Sequence, residues 1–63
     1  MKIGDNGAMV KELQQALNQH GAKIWTDGDF GAGTERAVKA FQRKVGLTPD
    51  GRVGPKTWKK LGF

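Results

Sequence analysis

The sequence predicts an all-α fold, a small three-helix bundle built from two overlapping helix–loop–helix repeats. Three observations lead there. Apolar residues recur at helical spacing in three separate stretches. Glycines bracket those stretches. One unusual turn is also written twice. DGDFGAGT at residues 27–34 returns as DGRVGPKT at residues 50–57, with Asp, Gly, Gly and Thr at the same four offsets.

The first helix is expected from about Ala8 to His20, with Val10, Leu13 and Leu17 on one stripe. Asn6 or Gly7 stands at its start and Gly21 just past its end. The second runs from about Ala32 to Val45. Its stripe is Val38, Phe41 and Val45, with Ala37 beside it and Gly46 as its stop. The third is short, about Pro55 to Leu61. Pro55 suits the first helical position, where an amide N–H would lack a partner anyway. Trp58 and Leu61 form its apolar pair, and both are expected in the core. Gly33 fits no such role. It falls in the first turn of the second helix, where glycine costs about 1 kcal/mol relative to alanine.

The repeat extends beyond the turn. VKELQQAL at 10–17 and VKAFQRKV at 38–45 share the pattern Val-Lys-x-apolar-Gln-x-x-apolar. The second helix therefore closes one unit and opens the next.

The twin turn reads as a structural joint. Asp27 and Asp50 are placed to bond the backbone two residues on. Gly28 and Gly51 supply positive φ. Phe30 and Val53 enter the core just ahead of a helix. Thr34 and Thr57 lie in a first helical turn, where a hydroxyl can reach an unpaired backbone group or the aspartate. Gln14 and Gln42 lie beside the apolar stripes, with amides placed to satisfy backbone groups of the loops. A calcium loop does not fit. Counted from Asp27, its fifth, sixth and twelfth positions would be Gly31, Ala32 and Val38, and counted from Asp50 its third would be Arg52. A phosphate loop does not fit either, since neither turn carries Gly-Lys-Ser/Thr after four spacers.

Composition narrows the function classes. With 63 residues the chain is expected to form one domain, residues 1–63. A domain of this size buries only about 60% of the surface its unfolded chain exposes. There is no cysteine, so neither a disulfide nor a thiolate zinc site is available. Without Ser, Cys or Tyr, and with His20 as the sole imidazole, a nucleophilic triad cannot be assembled. No catalytic residue, cofactor or metal is expected. No apolar run approaches the roughly 18 residues of a membrane span. The start does not read as a signal peptide, because polar Gly4-Asp5-Asn6 follows Lys2. The charge of +5 is uneven. Residues 1–31 hold three Lys against four carboxylates, and residues 32–63 hold eight Lys/Arg against two. A basic half suits an anionic partner, or simply a solvated surface.

Taken in order, GDNGAMVKELQQALNQHG, DGDFGAGTERAVKAFQRKVGL, DGRVGPKTW and Leu61 resemble the peptidoglycan-binding domain of type 1, a three-helix module of bacterial and phage cell-wall enzymes. The resemblance covers Lys2 to Leu61. Ala22 departs from it, standing where an aromatic often follows the glycine, and so does Lys60, where a small residue is common. The resemblance implies a non-catalytic module that binds murein, through its glycan strand, its stem peptide or both. It implies a monomer, covalently linked to a cell-wall hydrolase or endolysin, acting at the bacterial cell wall or in the periplasm, with no membrane partner. The alternative is a small basic helix-turn-helix-like domain that binds nucleic acid. Against it, GLTPDGRVG separates the second and third helices, where such a motif has a turn of three to four residues.

The expected ligand-binding residues are Trp25, Asp27, Phe30, Thr34 and Arg36. If Ile24 packs inward, Trp25 faces out, and an aromatic face suits sugar rings and peptide methyls; otherwise it packs over the first helix. Asp27 and Thr34 also have the structural roles above. Arg36, with Lys39 and Arg43, projects from the second helix toward stem-peptide carboxylates or toward solvent.

Overall fold

Helices of 7 to 13 residues are marginal in water, so these must be held by packing. The computed structural model describes residues 1–63 and contains α1 (Ala8–Gln19), α2 (Ala32–Lys44) and α3 (Pro55–Leu61). Nine apolar side chains form one core: Val10, Leu13, Ala16 and Leu17 of α1, Val38 and Phe41 of α2, Leu61 of α3, and Phe30 and Val53 from the turns. The predicted boundaries agree to within one residue at every helix end. Each helix begins at a glycine with no side-chain cap.

A pair of buried amides locks the turns that lead into α2 and α3. Gln14 is 1% exposed and Gln42 is 2% exposed. Gln14 Nε2 shares its two hydrogens among Asp27 Oδ1 at 3.0 Å, the Asp29 carbonyl at 2.9 Å and Thr34 Oγ1 at 3.0 Å. Its Oε1 accepts the Gly28 N–H at 2.9 Å. Gln42 repeats all four bonds, to Asp50, the Arg52 carbonyl, Thr57 and the Gly51 N–H. Asp27 and Asp50 also accept the N–H two residues on, as expected. The threonines differ from expectation. Their hydroxyls take a glutamine N–H, because the buried amide lies 3.0 Å from Thr34 Oγ1 and 3.2 Å from Thr57 Oγ1. Gly28 and Gly51 have φ of 79° and 77°, the left-handed region that presents their N–H groups inward to Oε1.

The first seven residues, which precede α1, strap the turns together. Gly4 N–H donates to Phe30 O and Gly7 N–H to Gly28 O, while Phe30 N–H donates back to Asp5 O. Further along, Val53 N–H donates to Met1 O at 2.7 Å and Met1 N to Val53 O at 2.8 Å. Trp58 corrects the expectation of full burial. It is half-buried at the core edge, its ring T-shaped against Phe63 at 4.8 Å, because α3 ends within a turn of it.

The amides yield the first prediction. Gln14→Ala and Gln42→Ala each strand a buried N–H and hydroxyl, so each should cost about 2–3 kcal/mol. In a domain this small that lowers the melting temperature by roughly 10–20 °C. Gln14→Glu, isosteric but unable to donate when ionised and facing Asp27, should be at least as damaging at neutral pH. Circular-dichroism melts within 2–3 °C of the parent, at roughly the error of such a shift, would remove the amides from this role.

Candidate ligand-binding site

The two joints share one hydrogen-bond set but not one loop length. Gln14 reaches Asp27 across 13 residues, whereas Gln42 reaches Asp50 across 8, so the first loop is five residues longer. That extra length carries Lys23, Ile24 and Trp25. Asn18 fixes it. Its Nδ2 donates to the Ile24 carbonyl and its Oδ1 accepts the Ile24 N–H, both at 2.9 Å. Ile24 is thereby turned against the core, and Trp25 stands 85% exposed. Functional side chains gather on such loops when a rigid scaffold holds them.

Trp25, Asp27 and Thr34 line one cleft of about 300 Å³, together with Lys23, Ile24 and Asp29. Asp27 uses Oδ1 for the turn, which leaves Oδ2 without an intramolecular partner. Arg36 lies in an adjoining groove of about 380 Å³, and Lys23, Ile24 and Gly33 border both spaces. Four of the five expected residues thus gather on one side of the first joint. Phe30 does not join them. At 2% exposure its ring is in the core, so it offers no surface to a ligand. Thr34 is buried too, and its hydroxyl is engaged by Gln14, which gives it a structural position at the cleft floor.

Sequence reasoning missed Lys23, Asn18 and the small residues Ala22, Ala37 and Ala40 along the groove. One signal existed: Gly33, which fitted no helix role, lies where cleft and groove meet. No group of three His, Cys, Asp or Glu side chains converges anywhere, and no helix is long and apolar enough to cross a membrane.

A bundle with glutamine-locked Asp-Gly turns and an aromatic loop beside the first of them defines a small binding module. Residues 6–61 match the family described as "Putative peptidoglycan binding domain", and the chain belongs to that family. It is similar to the zinc D-Ala-D-Ala carboxypeptidase of Streptomyces albus G, 39% identical over 92% of this chain and 24% of that protein. It is similar to the N-acetylmuramoyl-L-alanine amidase CwlL of Bacillus licheniformis, 42% identical over 97% of this chain and 18% of that protein. Among solved structures, the endolysin of the Burkholderia AP3 phage superposes with a TM-score of 0.97 at 45% identity, covering 98% of this chain and 24% of that one. The chain spans about half or less of the length of the curated relatives it matches.

The turns also have an electrostatic signature. The Asp29 N–H, followed by the Gln14 amide, holds the Asp27 carboxyl below its ordinary value. The Arg52 N–H, followed by the Gln42 amide, does the same for Asp50. A folded-state value below the unfolded one means stability that is fully present above the ordinary Asp pKa of about 3.9 and lost as pH falls through the lower folded values. Melting temperature should therefore drop below about pH 4. The variant Asp27→Asn/Asp50→Asn keeps an acceptor oxygen but does not titrate, so its acid limb should be shallower. Parallel curves for parent and variant from neutral pH down to about pH 2.5 would exclude the turns as the source.

Proposed function

We propose that this chain is a murein-binding module without catalysis of its own, working as a monomeric domain within a longer cell-wall hydrolase or endolysin at the bacterial cell wall or in the periplasm. One observation carries the reading: an 85% exposed Trp25, on a loop pinned by Asn18, beside Asp27 and Asp29 in a member of the peptidoglycan-binding family. An indole face stacks on a sugar ring, and a carboxylate oxygen with no other partner accepts from sugar hydroxyls. Folding gains little from such an indole, which can bury about 150–250 Å² on contact with a ligand. The relatives named as amidase and carboxypeptidase support attachment to a hydrolase, and the chain matches only a small part of each.

Trp25→Ala should weaken sedimentation with purified sacculi by about fivefold or more while changing stability by less than about 0.5 kcal/mol, as exposed positions do. Trp58→Ala should do the reverse, with a loss of about 1–3 kcal/mol for a half-buried aromatic. In the Trp58→Ala protein the remaining indole should emit at the long wavelength of a hydrated ring. Equal sacculus binding by Trp25→Ala and the parent would remove Trp25 from the site.

Salt gives a second test. Exposed ion pairs are worth only about 0–1 kcal/mol and are screened at physiological ionic strength. Sacculus binding should decline moderately with salt and persist at about 0.5 M, whereas adhesion to duplex DNA, governed by counterion release, should vanish. Complete loss of both at the same salt would reduce the interaction to polyanion attraction.

A further inference from the structure

The groove beside the Trp25 cleft has a chemistry of its own. Gly33, Arg36, Ala37, Ala40 and Lys44, at i, i+3, i+4, i+7 and i+11, form one face of α2 along it. The long loop forms the other wall. Ala22, Ala37 and Ala40 give it a methyl-sized apolar surface, with Phe41 and Leu17 behind. Its charged lining has one sign: Lys23, Arg36 and Lys44, and no carboxylate. The adjoining cleft is the opposite, with Asp27 and Asp29 against Lys23 alone. His20 stands at the groove's end, T-shaped against Phe41 at 5.1 Å, with its carbonyl 3.5 Å from Lys44 Nζ.

Two positions keep the groove open. Gly33 has ordinary helical backbone, and a Cβ there would meet nothing within 4 Å. The fold therefore gives no reason for a residue that is a poor helix former. Ala22 lines the groove with a single methyl, and a larger side chain there would occupy the space.

We propose that this groove is a subsite for the stem peptide of murein. Its methyl-sized surface takes alanine side chains, and Arg36, Lys44 and Lys23 take the peptide carboxylates, while the Trp25 cleft takes the sugar to which the peptide is joined. A volume of about 380 Å³ is that of a small-ligand site. The two compartments meet at Gly33, as a sugar and its branching peptide must. This subsite rests on the murein reading above and adds which part of the polymer sits where.

The test titrates the folded chain with three probes: sugar-free stem peptide released from murein by an amidase, peptide-free glycan, and the same stem peptide with its carboxylates amidated. Ala40→Leu fills the groove, and Arg36→Gln removes its central cation. Each should weaken stem-peptide binding by about fivefold or more, the scale of one charge-assisted contact, and leave glycan binding within about twofold. Trp25→Ala should show the opposite pattern, and the amidated peptide should bind the parent at least about fivefold more weakly. If Ala40→Leu unfolds, Arg36→Gln and the amidated peptide decide. Stem-peptide binding untouched by these changes, in a parent that still sediments with sacculi, overturns the subsite alone. A parent that sediments with no sacculi overturns the murein reading with it. Inorganic polyphosphate displacing the stem peptide at equal concentration would make the groove a general anion site and also overturn the proposal.

Discussion

Two buried glutamine amides set the terms for the rest of this protein. A sharp Asp-Gly turn that opens a helix directs a backbone N–H into the core and leaves a carbonyl and a hydroxyl beside it. Unpaired, such groups cost about 1–3 kcal/mol each, a large share of what a small domain has in hand. A primary amide is the one side-chain group that supplies an acceptor and two donors in a single plane. Glutamate would lack the donors and leucine would satisfy nothing. Placed on the stripe of α1 or α2, each glutamine locks its turn to the preceding helix, and Phe30 or Val53 then drops into the core one step later.

Because the amide fixes the turn, the chain between helix and turn is free to differ. The second joint uses eight residues from glutamine to aspartate and the first uses thirteen. The added residues do not flop, because Asn18 holds Ile24 through both backbone groups. Turn and cleft also share a side chain. Asp27 closes the turn through Oδ1 while its carboxylate lines the cleft. Whatever binds there meets a group already oriented by the fold, so little ordering remains to be done on contact.

Most of the fold was legible in the sequence, and the reasons are local. Helix starts and stops followed from periodicity and glycine, and the written-twice turn pointed to the roles of Asp27, Gly28 and Gln14. The failures have a common cause in distance. The strap formed by residues 1–7 joins segments far apart in sequence and has no period to betray it. The half-burial of Trp58 depends on where a seven-residue helix meets the edge of the core. The sequence allows Phe30 a place in the core or against a ligand, and only packing separates the two, in favour of the core. A groove is hardest of all to read, because it is made by side chains that are missing. Ala22, Gly33 and Ala40 announce it only once the long loop is known to lie across from them.

The uneven charge acquires a meaning from this geometry. Of the eight cations after residue 31, Arg36 and Lys44 line the groove, joined there by Lys23, and Lys39 pairs with Glu35 over the second turn. The basic half is therefore not one uniform patch. Three cations converge on an apolar channel, while Arg52 and Lys56 line a more polar cleft beside the second turn. An anionic polymer would be drawn to all of them weakly and at long range, and the screened surface charges would contribute to encounter more than to residence. On the proposed murein reading, residence would come from the small area of the cleft and groove, which limits what one copy of the module can achieve. Tethered to an enzyme working on a repeating polymer, modest affinity is sufficient, since each release leaves the next site within reach of the same linker. Tight binding would hold such an enzyme at one place on its substrate, which a rigid site with few contacts would avoid.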